Sequence, residues 1–259
     1  MRLENRVAIV TGGGSGIGRA ICIRICEEGG KVVIADVNAD GAEETSRRIG
    51  KGQSQAIAVP ADITNKEQVR SLVARTERAF GHVDILVNNA GTDIKGAIAE
   101  IKEETWDFLM SLNLKGTFLC TQAVVPSMRK RRYGRIINMS SMAGKTGEPF
   151  TSAYCATKFG VIGFTQAVAV ELGKENITVN AVCPGPVETE LIQKSITQSA
   201  QIAGVSFEEY KQKFFIGLTP MGRMATPVDV ARAVVFLASD EAEFITGATL
   251  NVSGGREMH

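Results

Sequence analysis

Thr11-Gly12-Gly13-Gly14-Ser15-Gly16-Ile17-Gly18 follows the β-branched run Val7-Ala8-Ile9-Val10 and leads into Ala20, Ile21, Ile23 and Ile25, the apolar face of a helix. A strand that feeds a glycine turn into a helix makes a cradle for phosphate. Glycine admits the tight bend and a close backbone approach, and the helix N-terminus presents unpaired N–H groups. The ligand that fits such a cradle is a dinucleotide pyrophosphate. The strict G-x-G-x-x-G spacing is absent, because no glycine in the run has partners at both plus two and plus five. The spacing is T-G-x-x-x-G-I-G.

Outward from this turn, apolar runs recur at Val7–Val10, Lys31–Ala35, Ala56–Val59, Val83–Val87, Arg135–Asn138, Ile177–Val182 and Ala248–Val252, with helical patterns between most of them. That alternation predicts an α/β fold: a parallel sheet covered by helices on both faces. A chain of 259 residues, 44% of them apolar, can bury one full core, so a single domain is expected. Helix starts are signalled by Thr64 with Glu67, a capping box, and by Thr226-Pro227-Val228-Asp229. The basic run Arg129 to Arg132 reads as a solvated helix end, with cations near the negative end of the dipole.

Lys plus Arg total 29 against 28 for Asp plus Glu, so no long-range field favours nucleic acid or an anionic membrane. The N-terminus has no signal-like apolar run, and no eighteen apolar residues run together, so a cytoplasmic location is expected. Five cysteines without CxxC spacing read as reduced thiols, Cys22 and Cys26 packing on one helix. With His82 and His259 the only histidines, no metal site is expected, and a Ser-His-Asp hydrolase is disfavoured.

Asp36 closes the second strand, where a carboxylate accepts hydrogen bonds from the adenosine ribose hydroxyls. It also repels a 2′-phosphate, by roughly 4 kcal/mol at about 4 Å and an effective dielectric of about 20, before screening. No cation follows at Val37, Asn38 or Ala39, and Ser15 is neutral, which predicts NAD rather than NADP. Farther on, Tyr154 and Lys158 lie one turn apart on a helix continued by Val161, Phe164, Val168 and Leu172. A free phenol has a pKa of about 10. A nearby ammonium, joined by the charge of an oxidised nicotinamide, favours the phenolate and suits it to acid–base work. Upstream, the strand Arg135–Asn138 ends in Ser140 and Ser141, where ligands bind in an open parallel sheet.

These residues resemble the short-chain dehydrogenase/reductase family over nearly the whole chain: the glycine turn, Asn88-Asn89-Ala90-Gly91 after the fourth strand, and Tyr154-x-x-x-Lys158. The resemblance implies a Rossmann-type, doubly wound, mostly parallel seven-stranded sheet and a hydride exchange between nicotinamide and an alcohol or ketone. It implies that Ser141 polarises the substrate oxygen, Tyr154 moves the proton, Lys158 steadies the phenolate and nicotinamide ribose, and Asn113 helps hold a relay water. By the same resemblance, Gly12, Ser15, Gly16, Ile17 and Gly18 cradle the pyrophosphate. Asp62 and Ile63 lie by the adenine, and Asn89, Ala90 and Gly91 line the adenosine side. Pro184, Gly185, Val187 and Thr189 border the nicotinamide amide. A homotetramer pairing the helices at Thr105–Arg131 and Ser152–Gly173 is also implied.

The segment at about 190–222 reads either as a mobile substrate lid or as a fixed packing element; Ser206 and Glu209 cap a short helix carrying Phe207, Tyr210 and Phe214. Lys95, Lys145 and Glu148 fall at the expected cleft mouth and hint at a polar substrate. The favoured partner is a small alcohol or ketone, a polyol or related hydroxylated molecule. A 3-oxoacyl-thioester reductase is the alternative, with a non-catalytic NADH sensor behind it.

Overall fold

The computed structural model describes residues 1–50 and 55–259. Seven strands, β1 (Val7–Thr11), β2 (Lys31–Asp36), β3 (Ala56–Pro60), β4 (Ile85–Asn88), β5 (Gly134–Met139), β6 (Ile177–Pro184) and β7 (Thr249–Val252), form one sheet in the order β3-β2-β1-β4-β5-β6-β7. Every neighbouring pair is parallel, so the sheet expected to be mostly parallel is wholly so. Nine α-helical segments are described: α1 (Gly16–Glu27), α2 (Ala39–Ile49), α3 (Lys66–Phe80), α4 (Glu103–Leu109), α5 (Gly116–Arg131), α6 (Ser152–Leu172), α7 (Glu190–Ala203), α8 (Phe207–Lys211) and α9 (Pro227–Ala238).

Alternation along the strands sends side chains to two cores. Ala8, Val10, Val32, Ile34, Ile85 and Val87 face Ile21, Cys22, Ile25, Ala42, Val230 and Val234 from α1, α2 and α9. Ile9, Val33, Leu86, Ile136 and Val179 face Val69, Leu72, Leu119, Val124, Ala169 and Leu172 from α3, α5 and α6. The Rossmann-type expectation therefore holds on both faces. Strand order reverses at β1, which has β2 on one side and β4 on the other, and ligands of open parallel sheets bind outside the carboxyl ends at such a reversal.

Local signals fared unevenly. Thr226 and Asp229 form a reciprocal capping box with Pro227 at the first helical position, as read. At α3 the cap is Asn65, whose side chain accepts from the N–H groups of Glu67 and Gln68. Thr64 was expected there, but its hydroxyl donates instead to Asp62 Oδ1 at 2.7 Å, so the helix begins one residue later. Arg129 pairs with Glu171 and Glu175, and Arg131 with Asp84, as suits a basic helix end. Burial pushes the Cys22 thiol well up and Cys26 up to about 12, which leaves both as packing groups. The run Glu103–Arg131 is long and apolar enough to cross a membrane by length and composition alone. Here it packs on the sheet and carries the buried polar residues Asn113, Thr117 and Thr121.

Candidate active site

The glycine turn is built as a cradle. A Cβ on Gly18 would stand 2.0 Å from the Gly12 carbonyl oxygen, so the helix can start this close to β1 only with glycine there. Gly16 has φ +50° and would meet nothing nearer than Thr189 Cγ2 at 3.4 Å, which places Thr189 across the opening from the turn. Ser15 precedes α1 without a side-chain cap, so the amides around Gly16, Ile17 and Gly18 keep no side-chain acceptor. Asn89 fastens the turn from β4: its Nδ2 donates to the carbonyls of Thr11 (2.9 Å) and Gly12 (3.1 Å), and the Ala90 N–H donates to Thr11 Oγ1 (3.1 Å).

Asp36 ends β2 beside this cradle. Its Oδ2 accepts from the Gly14 N–H at 2.8 Å and its Oδ1 from the Asn38 N–H at 2.9 Å, both backbone donors. Arg19, which the sequence reading did not single out, folds back onto the Gly14 carbonyl and donates to Thr45 Oγ1 at 2.9 Å. Asp62 lies past β3 with its Oδ1 taken by the N–H and hydroxyl of Thr64. Ile63 turns its side chain away from the cleft into the core against Gly116, leaving only its backbone for a cofactor. Beyond β6, Ala225 exchanges backbone bonds with Pro186 and Glu188, so the intervening Val187 keeps its own N–H and C=O turned away from that bridge. Pro184 ends β6 and Gly185 packs on Ser253.

The remaining residues converge beyond β4 and β5. Asn113 is 1% exposed within a π-helical turn, Met110–Lys115, that joins α4 to α5. Its side chain brackets Thr92 through both backbone groups and donates to Thr157 Oγ1 at 3.1 Å. Its carbonyl accepts the Thr117 hydroxyl at 2.9 Å. Ser141 Oγ accepts from the Ala143 N–H at 3.1 Å, and Ser140 is buried, donating to the Lys158 carbonyl at 2.9 Å. Lys158 Nζ lies 5.6 Å from the Tyr154 ring centroid and donates to the Met139 carbonyl at 2.7 Å. A Cβ on Gly91 would come within 3.6 Å of that ammonium, so the β4 loop and α6 meet here.

Tyr154 keeps part of its surface exposed, yet burial drives its phenol well above the ordinary range, with the Ser141 hydroxyl pulling the other way. Asp93, Glu148 and Cys155 push it higher. Burial pulls the Lys158 ammonium down to about 8. In the protein alone burial thus favours the neutral phenol; the phenolate was expected with both the ammonium and an oxidised nicotinamide beside it, and the second charge is not part of this balance. Asp93 and Thr157 were also overlooked as site residues. Each sits inside or just beyond a stretch already marked, Asp93 two positions past Gly91 and Thr157 between Tyr154 and Lys158.

A glycine cradle, a carboxylate closing β2 beside it and a Ser-Tyr-Lys cluster on a reversing parallel sheet define a nicotinamide-dependent oxidoreductase. The family model described as enoyl-(acyl carrier protein) reductase matches residues 12–257. The chain is 40% identical, over 100% of its own length and 99% of the other, to (2S)-[(R)-hydroxy(phenyl)methyl]succinyl-CoA dehydrogenase subunit BbsD of Thauera aromatica. It is 36% identical to the 3-oxoacyl-[acyl-carrier-protein] reductase FabG of Thermotoga maritima, covering 98% of this chain and 99% of that one. The crystal structure of levodione reductase superposes with a TM-score of 0.93 at 31% identity, covering 98% of both chains. The chain belongs to the short-chain dehydrogenase/reductase family.

Proposed function

We propose that this chain is an NAD(H)-dependent dehydrogenase interconverting a secondary alcohol and a ketone, with a polyol or other small hydroxylated molecule as substrate. The observation that carries this reading is the placement of Tyr154 and Lys158 on one turn of α6 against the end of β5, with Lys158 Nζ bonded to the Met139 carbonyl and the Ser140 hydroxyl to the Lys158 carbonyl, and Ser141 next in the chain. The bound nicotinamide supplies or accepts the hydride. Ser141 Oγ orients the substrate oxygen, and the Tyr154 phenol takes its proton in oxidation and returns it in reduction. Lys158 Nζ, anchored on the Met139 carbonyl, holds positive charge behind the tyrosine. Asn113 bonds the backbone of Thr92 and the hydroxyl of Thr157, the residue before that lysine, and is assigned the relay end of the site. Tyr154→Phe is expected to cut turnover by about 10²-fold or more while NADH binding, followed by fluorescence, stays close to wild type. Turnover near wild type would sink the assignment.

The cofactor reading rests on Asp36. Its two bonds come from backbone N–H groups, and the neighbouring cation Arg19 is spent on Gly14 and Thr45, so a 2′-phosphate would meet a carboxylate with no basic side chain bonded to it among the described residues. NADH is expected to exceed NADPH by at least about tenfold in kcat/KM, the equivalent of roughly 1.4 kcal/mol. A second reading, 3-oxoacyl-thioester reduction, is favoured by the names of relatives such as the Thermotoga maritima protein. Preferred turnover of an acetoacetyl thioester with NADPH would select it. The segment at 190–222, held by Lys211–Glu188 at 3.6 Å and by Arg256 on the Phe214 carbonyl at 2.9 Å, is the element proposed to cover substrate. Exposed Trp106, Phe108, Phe118 and Phe159 on α4, α5 and α6 support the homotetramer, to be checked by sedimentation.

A further inference from the structure

Asp93 is placed by its neighbours. Thr92 before it is pinned by Asn113, N–H to Oδ1 at 3.0 Å and Nδ2 to C=O at 2.9 Å. Gly96 after it donates its N–H to the Phe150 carbonyl at 2.9 Å, in the loop that leads into α6 and Tyr154. The two ties hold Asp93 between the Lys158 end of the site and the start of α6. Its Oδ1 is shut from solvent with no donor among the described residues. Burial pushes the Asp93 carboxyl up, with the charge of Lys95 pulling the other way. The same Asn113 that pins Thr92 donates to Thr157 Oγ1 at 3.1 Å, and the Thr157 hydroxyl donates to the Tyr154 carbonyl at 2.7 Å, so the Asp93 segment borders the turn of α6 that carries Tyr154 and Lys158. A buried acceptor without a donor is rare and costly in a folded chain, and beside a reactive group it marks the place of a ligand donor.

We propose that Asp93 positions and selects the substrate: its Oδ1 accepts a hydrogen bond from a second substrate hydroxyl while Tyr154 serves the first. The substrate class is then a vicinal diol or the matching α-hydroxyketone. This rests on the reading of Tyr154 as the proton-transfer group and narrows the polyol class named with it. A 3-oxoacyl thioester would turn a second carbonyl, itself an acceptor, toward the carboxylate. A substrate anion would meet the Asp93 carboxylate as a like charge.

The test uses the full chain with NAD⁺ and matched pairs, butane-2,3-diol against butan-2-ol and cyclohexane-1,2-diol against cyclohexanol. For wild type, the diol-to-mono-ol ratio of kcat/KM is expected to be at least about tenfold, because a site built to bond a hydroxyl rejects the analogue that lacks it. Asp93→Ala should bring that ratio to within about threefold of one, mainly through the KM of the diol, and Asp93→Asn, which keeps an acceptor oxygen, should restore part of it. NADH binding and a melting curve for each variant separate this loss from misfolding. A wild-type ratio near one, a ratio unchanged in Asp93→Ala, or no turnover of any diol would overturn the proposal. Turnover of the mono-ols at equal rates would do so while leaving the dehydrogenase reading intact; no hydride transfer with any alcohol or ketone, despite NADH binding, would remove both.

Discussion

At the amino edge of the sheet, Asp84 is 1% exposed and fully engaged: Arg131 Nη2 lies at 2.8 Å, His82 Nε2 at 2.9 Å, and the Val7 N–H donates at 2.9 Å. Arg135, also 1% exposed, stacks with Arg6 on the Tyr133 ring, and both guanidiniums reach Asp240. At the carboxyl edge the pattern inverts. Lys158 is buried with a carbonyl as its bonded partner, Tyr154 is held protonated, and Asp93 keeps an unbonded oxygen. Buried charges with partners hold β1, β4 and β5 in register, whereas those without partners are costs that a ligand can offset. The same sheet is therefore clamped at one edge, although Arg135 Nε there is buried without a bond among the described residues, and left incomplete at the other, where the unmatched groups are the titratable ones of the site.

The largest break in this contrast should come at the clamp. Asp84→Ala removes the partner of Arg131 and the acceptor of the Val7 N–H, and breaking a buried pair from one side costs about 3–5 kcal/mol. Because Arg131 keeps part of its surface in water, the lower end is expected, about 3 kcal/mol by urea unfolding. A loss below about 1 kcal/mol would mean that the pairing is incidental.

Lys158→Met probes the opposite edge and should act in the opposite direction. Burial lowers this lysine from 10.5 to about 8, so the folded state disfavours the ammonium. That penalty is fully present below pH 8 and fades as pH rises from about 8 to 10.5, because there the unfolded chain binds more protons than the folded one. Wild type should therefore gain stability across that window, and the variant should show no such rise. At pH 7 Lys158→Met should be more stable by about 2 kcal/mol, below the roughly 3 kcal/mol that the shift alone implies, since the Met139 carbonyl loses its donor. Turnover should collapse in the same protein. Lower stability at pH 7 would place Lys158 among the stabilising charges.

The contrast also explains what the sequence disclosed. The seven strands and their two faces were legible because alternation along each run matches the two cores. Tyr154 and Lys158 were legible as a pair because their spacing fits one helix turn, and Ser141 because it follows a strand end, whereas Asn113, in the π-helical turn between α4 and α5, came only through the family resemblance. Asp93 was not, since an aspartate in a loop signals nothing until Asn113 and Phe150 fix the backbone around it. The burial of the Tyr154 phenol was hidden for the same reason, since spacing places the ammonium near it but says nothing of what covers it. Thr64 and Asn65 are both good caps, and only the start of α3 decides between them.

The smallest effect belongs to the clamped edge and separates the two by pH. Glu28, in the turn between α1 and β2, accepts Arg2 Nη2 at 2.8 Å and Arg24 Nη2 at 2.6 Å, and the Arg2 hydrogen bonds lead in holding its carboxyl down at about 2. A lowered carboxyl stabilises the fold above its unfolded value near 4.5, and that contribution is lost as pH falls toward 2. Both arginines are about a third exposed, so solvent screening reduces the gain to about 1 kcal/mol or less. Glu28→Gln should flatten the acid limb of the stability curve by that amount, and added salt should shrink the difference. It should leave the alkaline rise untouched, just as Lys158→Met leaves the acid limb untouched, and the double variant should show both changes in full because the groups lie at opposite edges. If Glu28→Gln altered the rise between pH 8 and 10.5, the two edges would be coupled and the separation drawn between them would fail.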